Sequence, residues 1–166
     1  MNIGTVVEGP TDRLVIKSII NKICPGEHRF FDLQPQDLGA TFNETEAGWH
    51  GVRRWCQEIH QVNNLSLETF MNEGCAAPLD LLIIHLDADI VTKRDLLDGV
   101  TDPIDGLPFP CPPVSQNILA IQHIVFNWLN LDAMPNRVIM AIPSQDIENW
   151  TFAALYPGDC WLRFTL

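Results

Sequence analysis

The stretch "PLDLLIIHLDADI", residues 78 to 90, decides the fold class: from Leu81 to Leu86 it is apolar apart from one histidine, and it then ends in acid. A run without polar alternation suits a central parallel strand covered on both faces. Asp87 and Asp89 follow, one alanine apart, with no Lys or Arg in the run and none before Lys93. If extended geometry persists, the two carboxylates point the same way about 6.6 Å apart, which suits two neighbouring ions or one ion and its water. The competing account is a strand-end pair that caps the following turn, as Asp often does.

Outward from this strand the chain alternates between apolar runs and helical patterns. "IGTVV" (3–7) reads as a short buried strand, "EGPTD" (8–12) as a turn, and "DRLVIKSIINKI" (12–23) as a mostly covered helix that Cys24, Pro25 and Gly26 end. "HRFFDLQ" (28–34) reads as a second strand, followed by a long polar connection. A second helix is expected from about Trp49 to Val62, with Val52, Trp55, Cys56 and Ile59 on its apolar face. The proline-rich residues 98–114 are irregular, "SQNILAIQHIVFNWLN" (115–130) is a helix, "RVIMAIP" (137–143) a fourth strand, and "SQDIENWTFAALYP" (144–157) a short final helix. Four apolar strands separated by helices predict one α/β domain over 1–166, Rossmann-like, with a mainly parallel central sheet flanked by helices.

The charge balance restricts partners. Twenty-one acids against 10 Lys plus Arg give a formal net charge of −11. Such a surface repels phosphate backbones, so nucleic-acid contact needs a local basic patch, a bound cation or a basic partner. Arg53 and Arg54, within the second helix, are the best candidates for gripping a phosphate in a guanidinium fork. Solvent-facing charge on an amphipathic helix explains them equally well. Five cysteines, odd in number and without close metal-ligand spacing, fit a reducing compartment. No basic leader precedes the first apolar run and no apolar stretch approaches about 18 residues, so a cytoplasmic protein without a membrane span is expected.

The acids follow the strands. Glu8 follows the first, Asp87 and Asp89 the third, and Asp146 and Glu148 lie just beyond the fourth. In an open parallel sheet the carboxyl ends of the strands share one edge, where ligands gather. Like charges gathered in a cleft oppose one another's ionisation, and a hard divalent cation with oxygen ligands removes that penalty. Asp12, in the first turn of the first helix, also has an ordinary role as a helix-start acid. His85 lies two residues before Asp87; it reaches the site if it lines the same face, and the competing account, which weighs more, is a hydrogen-bonded core histidine.

"VVEGPTD" followed by "LLIIHLDAD" resembles the Toprim domain, shared by topoisomerases, bacterial primases, nucleases of the overcoming-lysogenization-defect type and small stand-alone relatives associated with bacterial defence. "IPSQDIENW" is similar to the third acidic segment of the nuclease-like members. The resemblance implies Glu8, Asp87, Asp89 and Glu148 as ligands of Mg²⁺ or Mn²⁺, with Asp12 binding a metal-held water or positioning a general base. It implies a metal-dependent nuclease or nicking enzyme acting on nucleic acid, DNA ahead of RNA, in anti-phage defence. Two alternatives stay open: a regulatory or toxin subunit that acts with a larger partner such as an ATPase, or a nucleic-acid or nucleotide-binding module without cleavage. Self-association is compatible with all three.

Overall fold

The computed structural model describes residues 1–35, 48–61, 65–88, 90, 115–143 and 147. Among them four strands form one sheet: β1 (Asn2–Val6), β2 (Arg29–Gln34), β3 (Leu81–His85) and β4 (Val138–Ala141). The spatial order is β2-β1-β3-β4 and every pairing is parallel. The helices are α1 (Pro10–Ile23), α2 (Gly48–Gln61), α3 (Leu67–Glu73) and α4 (Ser115–Leu129). The expected α/β architecture, a parallel sheet flanked by helices, is therefore present; β1 is shifted one residue toward the N-terminus of its apolar run, and β2, β3 and β4 are one to three residues shorter than theirs. The final helix lies outside the described residues except for Ile147.

Strand parity sorts the core into two layers. Val6, Leu82 and Ile84 face α2, α3 and α4, packing with Trp49, Val52, Trp55, Cys56, Met71, Ile121 and Trp128. Ile3, Val7 and Ile83 face the other way, with Ile16 and Ile20 of α1 and with Ile147. Because side chains alternate across a strand, His85 shares the α1 side with Ile83. The sheet is buried on both faces, which is why its central strands carry no polar alternation.

Local chemistry sets the helix ends that matter. Pro10 opens α1, and the side chain of Asp12 turns back so that Oδ2 accepts the Gly9 N–H at 2.7 Å. This satisfies one of the donors that a helix start leaves without intrahelical partners. α3 is absent from the sequence reading; Ser66 caps it by accepting the Thr69 N–H at 3.1 Å. Buried Cys56 behaves as a core filler, and loss of solvent pushes its thiol pKa far up.

At the centre of the sheet Gly4 supplies space. A Cβ there would stand 2.8 Å from a methyl of Leu79, 2.9 Å from one of Leu33 and 3.1 Å from one of Leu82. Those leucines meet over β1 because the glycine leaves the volume open. Gly4→Ala is expected to lower unfolding stability by about 1–3 kcal/mol, the usual cost of overpacking. Urea denaturation followed by circular dichroism measures it, and an unchanged midpoint would mean that the leucines relax freely.

Candidate functional site

The strand order reverses direction between β1 and β3, and this topological switch point is where open α/β sheets form ligand crevices at their carboxyl ends. Glu8 leaves β1 there, and Asp87 leaves β3. The two are joined directly: Glu8 Oε1 accepts the backbone N–H of Asp87 at 2.7 Å across 79 residues of chain. β3 stays paired beyond its last strand residue, since Leu86 N donates to Ala141 O and Ala88 N to Pro143 O. That pairing holds the backbone of Asp87 in place. The carbonyl of Glu8 in turn accepts the N–H of Gly48 at 2.9 Å, so α2 begins beside the same carboxylate. Gly48 has φ +66, a conformation that suits glycine, and a Cβ there would lie 3.8 Å from Glu8 Oε2.

The Glu8 bond separates structural from chemical roles. Glu8→Gln keeps an oxygen that can accept the Asp87 N–H, so its stability is expected to stay within about 1 kcal/mol of the parent chain. Glu8→Ala strips the partner from a part-buried N–H, and a loss of about 1–3 kcal/mol is expected. Coincident denaturation curves for the two variants would show that the bond adds nothing.

His85 joins these acids. It is fully buried, with Nε2 at 3.2 Å from Asp87 Oδ1 and Nδ1 at 3.9 Å from Asp12 Oδ2. Neither ring nitrogen makes a hydrogen bond, and neither does Asp87 Oδ1. It is a core histidine that also reaches the acids at this edge. Orphaned polar atoms deep in a fold are uncommon and call for an explanation. The two-residue spacing puts His85 and Asp87 on one side of the strand, but spacing alone does not tell a contact with the site from a core hydrogen bond.

Three of the expected acids, Glu8, Asp12 and Asp87, are thus brought to one corner of the sheet, with His85 between the last two. Asp89 and Glu148 lie outside the described residues, as do Asp146 and Lys93. Among the described residues no three His, Cys, Asp or Glu side chains are gathered closely enough to enclose an ion. Comparison with protein-family models, curated proteins and solved structures returned no match. The Toprim resemblance rests on its motifs alone.

Arg53 and Arg54 lie in the second turn of α2, which starts at Gly48 beside Glu8. Arg54 Nε is 3.8 Å from Glu58 Oε1, an exposed pair one helical turn apart that contributes little to stability. Arg53 acts on His50: partial desolvation, and after it the Arg53 charge, lower the pKa of that imidazole. Both effects disfavour a positive charge on His50 and so weaken it as a phosphate contact. Its ring stacks on buried Trp49 at 3.5 Å between centroids. Among the described residues no helix is long and apolar enough to cross a membrane.

Proposed function

We propose that the chain is a Toprim-like, divalent-metal-dependent nuclease or nicking enzyme that hydrolyses phosphodiester bonds at the β1/β3 carboxyl edge. The observation that supports this reading most strongly is the Glu8 to Asp87 bond, which draws two strand-end acids together at the switch point although nothing local in the sequence requires it. The donor chemistry fits an ion: carboxylates from two strand ends, with Asp87 Oδ1 and His85 Nε2 enclosed and without hydrogen-bond partners. Asp87, Glu8 and, by the motif, Asp89 and Glu148 would hold it.

When bound, such an ion supplies Lewis acidity that polarises a phosphoryl oxygen and makes a water a better nucleophile. The protein's own groups do the rest. Glu8 fixes the backbone of Asp87, and Asp12 holds the turn at Gly9 that carries Glu8. Arg53 and Arg54 contribute positive charge on the helix that starts at this edge, where a chain of net charge −11 needs it.

The test is incubation of the purified chain with supercoiled DNA and, separately, single-stranded RNA in Mn²⁺ or Mg²⁺. Nicking or cleavage that chelation with EDTA stops is the expected result. Metal binding without any product, alone or with an ATPase partner, would instead leave a binding or regulatory module.

A further inference from the structure

We propose that His85 Nε2 and Asp87 Oδ1 are adjacent donors to one divalent ion, so that this edge selects a nitrogen-accepting transition ion such as Mn²⁺, Co²⁺ or Zn²⁺ over Mg²⁺. The inference rests on the metal reading above and adds to it the identity of the ion and a ligand outside the acidic motif.

The geometry carries it. The two atoms stand 3.2 Å apart, His85 is fully buried, and neither atom makes a hydrogen bond despite being within reach of the other. An enclosed polar atom left in this way costs about 1–3 kcal/mol, and here two such atoms face each other. Two donors bonded to a common ion at about 2.1 Å stand roughly 3.0 Å apart at neighbouring octahedral positions and roughly 3.4 Å apart at tetrahedral ones. The observed separation lies between these values, so a shared ion requires little movement of either side chain.

The chemistry of the donor sets the selectivity. Mg²⁺ is hard, keeps its waters and takes oxygen ligands, whereas imidazole suits the later divalent ions best and Mn²⁺, which shares the carboxylate preference of Mg²⁺, accepts it less strongly than they do. An edge built of carboxylates alone would discriminate weakly; His85 introduces the discriminating atom. With an ion on Nε2 the ring proton belongs on Nδ1, which has Asp12 Oδ2 3.9 Å away. A carboxylate behind the second nitrogen is the usual setting of a metal-bound histidine. Asp12 would act on the ion through His85 only by closing that gap to hydrogen-bond distance.

The experiment uses the full chain freed of metal. Calorimetric titration with Mn²⁺ and with Mg²⁺ is expected to give at least about tenfold tighter binding of Mn²⁺, and pulsed electron paramagnetic resonance of the Mn²⁺ complex a ¹⁴N coupling from a directly bound imidazole. His85→Gln is expected to abolish that coupling, weaken Mn²⁺ at least about tenfold and leave Mg²⁺ within about threefold. Mn²⁺ binding without a ¹⁴N coupling, or a coupling that survives in His85→Gln, would overturn the role of His85 and leave the metal reading standing. Binding of neither ion would remove both. Should the variant fail to fold, the coupling in the parent chain still decides the matter.

Discussion

Asp87→Asn is expected to abolish metal-dependent strand cleavage, lowering the rate by at least about 10²-fold, the scale seen when one preorganised charge-stabilising group is removed. The substitution is nearly isosteric, and the contact that fixes this corner uses the backbone N–H of residue 87, which remains available to Glu8 Oε1. The new amide can also hydrogen-bond to His85 Nε2, 3.2 Å from the present Oδ1. Stability should consequently stay within about 1 kcal/mol, or some 2–4 °C in melting temperature for a chain of this size. Nicking of supercoiled DNA, scored beside a thermal melt of the same preparation, separates the two effects. Cleavage at the parental rate would reduce Asp87 to a strand-end residue, and a collapse of the melt would make its role structural.

The largest expected effect on stability belongs to Leu82→Ala. Leu82 is fully buried in the middle of β3, between β1 and β4, and it packs in the layer that holds α2, α3 and α4. Truncation removes buried methyl groups and leaves a cavity that neighbouring strands cannot easily close, for an expected loss of about 2–5 kcal/mol. Against a typical total of about 5–15 kcal/mol this is a large fraction. One methyl of Leu82 also borders Gly4 at 3.1 Å from the position of an added Cβ. Gly4→Ala should therefore be better tolerated in the Leu82→Ala background than alone, a non-additivity that a double-mutant cycle in urea reads directly. Strict additivity would mean that the two positions do not share space.

Much of the sheet was legible because its strands are covered on both sides. Burial on two faces forces continuous apolar runs, and "LLIIH" and "VIMA" announce themselves without knowledge of partners. α3 escaped notice for the opposite reason: seven residues with a polar majority make little pattern, and the useful cue was the capping serine at 66. At the site, Glu8 and Asp87 could be read from their strand ends, since sheet topology alone brings such ends to one edge. His85 could not be assigned in the same way. A lone histidine in an apolar strand has the same sequence appearance whether it is hydrogen-bonded in the core or left facing a carboxylate, and only the distances to Asp12 and Asp87 distinguish the cases. The approach of Gly48 to Glu8 was likewise hidden, because a long polar connection carries no information about where it ends.

The 79-residue span between Glu8 and Asp87 also shapes how the molecule comes to exist. β1 meets β2 after a short excursion, but its other neighbour arrives only when a much longer loop has closed, and such distant pairings slow the conformational search. Until that closure the carboxylates of Glu8 and Asp87 are held apart by the intervening chain. Their contact is thus a property of the completed fold rather than of the folding chain. If the proposed cation binds only the closed edge, it would tie β1 to β3 and raise the folded fraction with its concentration.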